Sequence, residues 1–307
     1  MLEEQYVRHL SDFLDWEQLN HAKDWVLFEN NISEYLSIDE TSLSQGELYT
    51  VVTNKLAKGK KNALVAMIKG TESELVSSDL NKITNAKKNK VREVTLDMAA
   101  SMQKIVSICF PKAQQVTDRF HVQKLAYDAL QQLRIEHRWQ AIDQENKEIE
   151  LAKELRKVYI PDKLQNGDTL KQLLARSRYL LFKAEHKWTP SQSNRAEILF
   201  KFYPDLQSAY KLCRELGRIY DKPKNKGVAF TMLARWYDKV EKSGFKAFNT
   251  IARTIQNNYL TILNYFDNRS TNASAESFNA KIKAFRSQLR GVKFIPFFLY
   301  RLSKIYA

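Results

Sequence analysis

The chain has 307 residues, of which 44% are hydrophobic, 27% charged and 11% aromatic, the composition of an ordinary globular protein. Its 8 glycines and 6 prolines are too few for collagen, a disordered linker protein or a turn-rich β-sandwich. No apolar run approaches the roughly 20 residues of a membrane span, and the acidic start carries no secretory signal. Cys109 and Cys213 lie in apolar, helix-like contexts, so we expect a reducing cytoplasm without a disulfide framework or structural zinc.

The charge of the chain is strongly positive and unevenly distributed. Its 49 Lys and Arg against 35 Asp and Glu give +14. Residues 1–34 hold eight acidic and two basic residues, which is −6, so the other 273 residues carry +20. A basic surface of this size suits a polyanion such as DNA. The alternative is solubility provided by scattered surface lysines.

The first 34 residues are predicted to form an acidic helical lead-in, with Leu10, Phe13, Leu14 and Trp16 on its apolar side. From residue 35 to 125 the pattern changes to alternating strands and helices. Strands are predicted at Tyr35–Asp39, Leu48–Asn54, Ala63–Lys69, Val91–Leu96 and Gln114–Thr117, and helices at Glu72–Thr84 and Ala99–Cys109. This β-β-β-α-β-α-β order is that of an RNase H-like mixed α/β sheet.

Residues 126–267 contain no convincing strand, and their apolar positions recur at spacings of three and four. Prolines near 161, 190, 204 and 223 break the pattern into helices. We therefore predict a large all-helical insertion. Residues 268–307 are predicted to be C-terminal helices that complete the core.

Three aspartates follow predicted strands. Asp39 ends the first strand, Asp97 the fourth and Asp118 the fifth. Each has a simpler explanation taken alone: Asp39 faces solvent or caps a turn, and Asp97 is the N-cap of the next helix. In an RNase H-like sheet, however, the first and fourth strands are neighbours. Asp39 and Asp97 would then lie close enough to share a divalent cation, with Asp118 one strand further away.

A single acid stands out near the C-terminus. Residues 269–307 contain eight bases and one acid, Glu276. On a helix from about residue 271, Glu276, Asn279 and Lys283 fall on a polar face. The apolar stripe of this helix is Ala275, Phe278, Ile282, Phe285 and Leu289. A carboxylate beside basic residues suits a metal–phosphate site, whereas a structural acid in the first helical turn is the alternative.

Other candidate chemistry is weaker. His121, three residues after Asp118, is a ligand, a general base or simply a packed histidine. Basic and aromatic residues interleave around 134–139, 176–188 and 211–226. Either these residues contact DNA phosphates and stack on bases, or they only form solvated helix faces. No phosphate-binding glycine loop or serine or cysteine hydrolase motif is present.

Several motifs together resemble bacterial insertion-sequence transposases. They are LSIDETSLSQGELY at 36–49, VREVTLDMA at 91–99, FPKA at 110–113, DRFHV at 118–122 and TNASAESFNAKIK at 271–283. The chain is most similar to the ISL-three branch of the DDE transposases, from about residue 29 to its end. The specificity lies in the ordered set, since any one motif alone would be weak.

The resemblance implies an RNase H-like core in which three carboxylates bind two Mg²⁺ ions, with Mn²⁺ as a substitute. Asp39 is then the first acid, Asp97 the second and Glu276 the last, and all three are both catalytic residues and metal ligands. Asp118 and His121 form an accessory pair. An alternative takes Asp118 as the middle acid. We expect Lys281, Lys283, Arg286 and Arg290 on the last helices to bind DNA.

The resemblance also implies partners. DNA, as element ends and target, is the expected substrate, a homo-oligomer the expected assembly, and the bacterial cytoplasm, at the nucleoid, the expected location. One departure is the region before the core, because only 38 residues without cysteine precede Asp39. We therefore expect the end-recognition domain on a separate protein, or a truncated chain. Competing functions are a catalytically inactive DNA-binding derivative and an RNase H-like nuclease.

Overall fold

A computed structural model describes residues 5–43, 46–221, 223, 225–288 and 291–307. The chain divides into two compact units. The sheet unit consists of Met1–His121 and Asn258–Ala307, and the helical unit is Val122–Asn257. The helical unit begins four residues before the predicted insertion and ends ten residues before its predicted end.

The sheet unit contains six strands, which are β1 Trp25–Leu27, β2 Tyr35–Ser42, β3 Leu48–Asn54, β4 Leu64–Lys69, β5 Glu93–Leu96 and β6 Gln114–Thr117. Its helices begin with α1 Ser73–Leu80, α2 Asn85–Lys88 and α3 Ala100–Cys109. Helix α4, Arg119–Glu154, follows β6, and the unit boundary falls within it. After residue 257 the sheet unit continues with α10 Tyr259–Leu263, α11 Tyr265–Asn268, α12 Ala273–Gln288 and α13 Ile295–Tyr306.

The sheet has the order β1-β4-β3-β2-β5-β6. Strand β2 pairs in parallel with β5, and β5 with β6, whereas the β1–β4, β4–β3 and β3–β2 pairs are antiparallel. Three hairpin-linked strands followed by two parallel strands reached through helices is the predicted RNase H-like topology. The α/β fold class is therefore confirmed, and the predicted first and fourth strands are indeed neighbours.

The prediction of a helical lead-in is wrong where the structure describes it. Only short helical turns form there, at Tyr6–Leu10, Leu19–His21 and Glu29–Asn31, and β1 pairs with the outer edge of β4. The edge of β4 carries unpaired backbone groups, and pairing with β1 satisfies them. This tertiary gain outweighs the local helical pattern. Phe13 of the lead-in packs on Phe297 and Tyr300 of α13.

The two faces of the sheet are covered by different helices because strand side chains alternate. On one face, Ile38 and Val94 pack with α1 and α3, for example against Ile105. On the opposite face, Val51 and Met67 belong to a cluster with residues of α12 and α13. That second face becomes polar over β2, β5 and β6, where the site described below lies.

Among its described residues, the helical unit contains most of α4 and five further α-helices. They are α5 Leu170–Arg176, α6 Pro190–Phe202, α7 Pro204–Asp221, α8 Lys226–Ser243 and α9 Lys246–Asn257. Trp236 of α8 is fully buried and donates its indole N–H to the Leu212 carbonyl at 3.0 Å. As predicted, the described residues of this unit form no strand. Throughout the described chain, no helix combines the length and apolarity that crossing a membrane requires.

Candidate functional site

Asp39 lies within β2 and not at its end, which corrects the predicted strand boundary. The strand continues to Ser42 because β3 pairs with it along its whole length, up to Ser42 opposite Leu48. The parallel pairing with β5 ends earlier, at Ser37 opposite Thr95. Asp39 therefore stands two residues beyond the last parallel pair.

The register of the parallel strands brings the three aspartates together. Ser37 pairs with Thr95, and Thr95 pairs with Val116. Asp39 comes two residues after Ser37, Asp97 two residues after Thr95, and Asp118 two residues after Val116. Asp39 lies in β2, whereas Asp97 and Asp118 directly follow β5 and β6. Since side chains two residues apart share a face, all three project from the same face at the same edge of the sheet.

Helix α12 brings Glu276 to this face. Phe278 and Ile282 of α12 pack in the sheet's second core, which orients the helix. The Asn279 side chain donates to Asp39 Oδ2 at 2.7 Å, and the Asn272 backbone N–H donates to Asp118 Oδ1 at 3.3 Å. Positions 272, 276 and 279 share one helical face. Glu276 therefore lies between two residues that are each bonded to one of the aspartates.

The carboxylates repel one another. Burial raises the pKa of Asp39, the negative charges of Asp97 and Asp118 raise it further, and the Glu40 N–H bond and His121 oppose the rise. The pKa of Glu276 is also raised, first by partial burial of its carboxylate and then by Asp118 and Asp39, while His121 lowers it. Glu276 as a residue remains exposed, so solvent screens part of this repulsion.

Sequence reasoning missed Glu40 as a member of this cluster. Burial raises the pKa of Glu40, followed by the charges of Asp97 and Asp39. Asp97 thus interacts with Asp39 and Glu40, whereas Glu276 interacts with Asp118, His121 and Asp39. The signal for Glu40 was its place directly after Asp39 in the sequence, but alternation along a strand assigns adjacent residues to opposite faces.

Asp97 and Asp118 differ in their surroundings. Asp97 is half-buried and accepts a hydrogen bond from the Ala99 N–H at 2.8 Å, immediately before α3, whose N-cap is Ala99 and not Asp97. Asp118 is 1% exposed. Its Oδ1 holds the Asn272 backbone, and its Oδ2 is buried without a hydrogen-bond partner. Asp118 is therefore fixed more tightly in the fold than Asp97.

The donor set suits a hard divalent cation, although the side chains are not arranged around one. Within the described ranges, no group of three or more His, Cys, Asp or Glu residues has a metal-binding arrangement. Carboxylate oxygens are nevertheless the ligands that Mg²⁺ prefers. Burial and the neighbouring carboxylates raise the pKa values of Asp39 and Glu276, and Asp118 Oδ2 is buried without a hydrogen-bond partner. The residues present therefore fit such an ion chemically.

Two of the predicted DNA-binding cations have partners within the sheet unit. Lys281 donates to the Gly59 carbonyl at 2.6 Å, and Arg286 donates to the Ser42 and Leu43 carbonyls at 3.0 and 3.2 Å. These bonds attach α12 to the β3–β4 turn and to the end of β2. Lys283 is exposed on the same helix. Arg290, and Leu289 of the predicted apolar stripe, lie outside the described residues.

A buried ion pair supports the polar face and was not anticipated. Lys55 Nζ lies 3.1 Å from Glu93 Oε1 and donates to Thr95 Oγ1 at 2.6 Å. The side chains are only 12% and 2% exposed. Glu93, Thr95 and Asp97 alternate along β5 and its end, so the pair lies on the face of the aspartates. The signal in the sequence was this alternation of polar residues in an otherwise apolar strand.

Comparison with known proteins gives two matches. A family model described as "Transposase", of the ISL-three DDE type, matches residues 36–302. The curated transposase for insertion sequence element IS1001 of Bordetella parapertussis is 23% identical over 273 residues. That alignment covers 88% of this chain and 60% of the relative, so the chain spans about three fifths of that protein's length.

Proposed function

Because the chain belongs to the ISL-three-type transposase family, whose model matches residues 36–302, we propose that it cleaves and joins the DNA of an insertion sequence. The observation that carries the proposal is the shared sheet edge of Asp39, Asp97 and Asp118, with Glu276 held above it by α12. Four acids so far apart in the sequence have no evident structural need to meet. Their mutual repulsion destabilises the protein unless a cation or substrate compensates it.

Asp39, Asp97 and Glu276 are the proposed catalytic residues and metal ligands. They would hold two Mg²⁺ ions, or Mn²⁺ in their place, which supply an activated water or 3′-hydroxyl and stabilise the leaving oxygen. The chain's own contribution is orientation. Asn279 fixes one oxygen of Asp39, and the Glu40 N–H fixes the other at 2.9 Å.

Asp118 and His121 are proposed as the accessory pair. Asp118 accepts the Asn272 N–H and so anchors the start of the helix that carries Glu276. His121 lies close enough to lower the pKa of both Asp39 and Glu276, and a cationic imidazole there would partly balance the cluster. Asp118 as the middle acid is the alternative, supported by its interaction with Glu276. The burial of Asp118, which is 1% exposed while Asp97 is only half-buried, favours Asp97 instead, because a metal ligand must be reached by the DNA substrate.

DNA, as element ends and target, is the proposed partner. Lys283, exposed on α12 seven residues after Glu276, is positioned to contact the phosphate backbone beside the acids, and Arg290 is proposed for the same role from the sequence alone. Lys281 and Arg286 would contribute mainly by holding α12. We further propose a homo-oligomer, because two ends must be joined, and a cytoplasmic location at the nucleoid.

The test uses the full chain and labelled duplexes that carry the inverted repeats flanking its gene. With Mg²⁺ we expect new 3′-hydroxyl ends and a joined product. Asp39→Asn should abolish both while leaving DNA affinity within about twofold. The matched control is Glu72→Gln, which also replaces a carboxylate by an amide, at an exposed position ahead of α1.

Three results would contradict the proposal. DNA binding without any cleavage by the wild-type chain would support an inactive DNA-binding derivative. Cleavage without a joined product would support a nuclease. Equal activity of Asp39→Asn and wild type would remove the proposed site altogether.

A further inference from the structure

The helical unit carries most of the protein's excess charge. It contains 26 Lys and Arg against 16 Asp and Glu, a net +10, whereas the sheet unit has 23 against 19, a net +4. Within the helical unit the excess is concentrated in residues 171–226, which hold 13 basic and 5 acidic residues. The acid-rich site described above therefore does not account for the basic character of the chain.

Tyr127 of α4 contacts two segments that are rich in basic residues, 176–188 and 211–226. Its hydroxyl donates to the Phe182 carbonyl at 3.1 Å and accepts from Arg214 of α7 at 3.1 Å. Its ring packs edge-on against that of Phe182, with 5.2 Å between centroids. One tyrosine thus places α4, the α5–α6 connection and α7 side by side.

Helices α4 and α7 pack closely along this line. The Gln123 side chain donates to the Cys213 carbonyl at 3.1 Å, and the Cys213 thiol donates to the Ala126 carbonyl at 3.0 Å. A Cβ at Gly217 would approach Gln123 Oε1 to 3.0 Å, so the small residue permits the close contact. The helices therefore have a defined register, which fixes the positions of the cations beside the contact.

The exposed cations border the Tyr127–Arg214 contact. Lys124 lies one turn from Tyr127 on α4, and Lys211 and Arg218 lie one turn to either side of Arg214 on α7. Lys183 follows Phe182, and its carbonyl is held by the Tyr210 hydroxyl at 2.8 Å, while its ammonium end is exposed. Each of these four exposed cations thus lies within one helical turn of Tyr127 or of one of its two partners, Phe182 and Arg214.

An exposed aromatic residue, Tyr179, lies four residues before Lys183 in the chain. Tyr179 is 68% exposed, although a tyrosine ring gains stability when it is buried or stacked. The Arg178 guanidinium lies 5.5 Å from its ring centre. We call Lys124, Tyr179, Lys183, Lys211 and Arg218 the basic face.

The cations of the basic face differ from others in the same unit. Asp168 neutralises Arg176 and Arg195, Glu145 pairs with Lys171, and Glu215 pairs with Lys239. Within the part of the chain that the structure describes, no carboxylate forms an ion pair with Lys124, Lys183, Lys211 or Arg218; the Lys183 ammonium reaches only Gln192, at 3.4 Å. Clustered cations without carboxylate partners repel each other and are stabilised by a polyanion.

We propose that the basic face binds single-stranded DNA, with its cations on the phosphates and the Tyr179 ring stacked on a base. Phosphates would satisfy the cations in any DNA, but an exposed ring gains stacking energy only from a base that is free of its pair. The proposal rests on the proposed function in that it takes DNA as the substrate. It adds a binding surface distinct from the four acids.

The experiment measures fluorescence anisotropy of the full chain with a labelled 20-nucleotide single strand and with the corresponding duplex, over a NaCl series. The double variant Lys183→Gln/Lys211→Gln should weaken single-strand binding by roughly 5- to 20-fold near 0.1 M salt. Its log–log salt slope should fall by about 1.4, since each lost phosphate contact removes about 0.7. Tyr179→Ala should weaken single-strand binding about 5-fold or more and duplex binding less than about 2-fold.

Lys153→Gln is the matched control. It makes the same charge change at an exposed position of α4, about 40 Å along the helix from Lys124, and should leave both affinities unchanged. Unaltered melting temperatures would establish that all variants fold. Tyr179→Phe should retain single-strand binding, because the ring is what stacks.

An unchanged salt slope in the double variant, or equal losses on single strand and duplex in Tyr179→Ala, would overturn the proposal. The same holds if Lys153→Gln weakens binding as much as the double variant. Asp39→Asn is measured alongside. If this variant binds DNA like wild type, DNA binding does not depend on the proposed catalytic acids. A loss of cleavage and a loss of DNA binding by the basic face can then be distinguished.

Discussion

The two compact units of this chain differ in the sign of the charges that they bring together. The sheet unit concentrates negative charge, bringing Asp39, Asp97, Asp118 and Glu276 to one sheet edge through long-range pairing. The helical unit carries a net charge of +10, and the exposed cations of the basic face lie on α4, the α5–α6 connection and α7. Clustered carboxylates are stabilised by a metal ion, and clustered cations are stabilised by a phosphate backbone. The two units thus differ in the sign of the charge that their polar side chains bring together.

The largest expected effect concerns which aspartate, Asp97 or Asp118, is the second catalytic acid. Asp97→Asn should lower DNA cleavage on the order of 10³-fold or more, because it removes a proposed metal ligand. Asp118→Asn should lower it less and should also lower the melting temperature, since Asp118 anchors α12. The measurement is single-turnover cleavage beside thermal unfolding. Loss of cleavage in Asp118→Asn alone, with Asp97→Asn active, would reverse the assignment.

The second prediction concerns whether the units are independent. Trp236→Ala removes a fully buried ring of the helical unit and should cost about 3–5 kcal/mol of unfolding free energy. Hydrogen exchange should accelerate in residues 122–257 while the β5 amides stay protected. The control Trp139→Ala, at a ring that is 61% exposed, should change little. Faster exchange in β5 as well would show that the two units unfold together.

The third prediction concerns orientation within the sheet unit. Asn279→Ala removes the hydrogen bond to Asp39 Oδ2 and should lower cleavage about 10- to 100-fold, the usual cost of losing a residue that orients a metal ligand. Asn279→Asp should be more harmful because it adds a carboxylate to the cluster. Gln288→Ala, exposed on the same helix, is the control. Full activity of Asn279→Ala would mean that Asp39 is held adequately by the Glu40 N–H.

The smallest expected effect is on stability. The folded-state pKa of Glu276 is raised, so its stabilising contribution is present at low pH and is lost as the pH rises through that value. At pH 7 Glu276→Gln should therefore melt about 1 °C higher than wild type, with the difference vanishing toward pH 4. Mg²⁺ should raise the melting temperature of wild type more than that of the variant. A lower melting temperature at pH 7 would show that the Glu276 charge is compensated.

Strands whose formation is evident from local sequence were predicted well, whereas strands that depend on long-range pairing were not. Leu48–Asn54 and Gln114–Thr117 were predicted with their observed bounds because β-branched and apolar residues in them reflect burial on the sheet. Trp25–Leu27 was missed because only the open edge of β4 makes it a strand. Asp39 was placed at a strand end because its antiparallel pairing beyond Ser37 depends on β3.

The candidate site shows the same division. The adjacency of the strands that carry Asp39 and Asp97 followed from the order of elements, and Glu276 followed from its isolation among bases. The bonds that place Glu276, from Asn279 to Asp39 and from Asn272 to Asp118, join residues more than 150 positions apart. The catalytic roles of these acids, and DNA binding by Lys283 and Arg290, remain predictions.

The sequence by itself determined the family, the order of the five strands predicted from it and the uneven charge, because these depend on local pattern and composition. Only the tertiary structure decided the rest. It directed Lys281 and Arg286 to backbone carbonyls, enclosed Asp118 and left the cations around Tyr127 exposed on neighbouring helices. The physical reason is that burial and hydrogen-bond partners depend on the distances that packing creates, and the order of residues along the chain does not contain those distances.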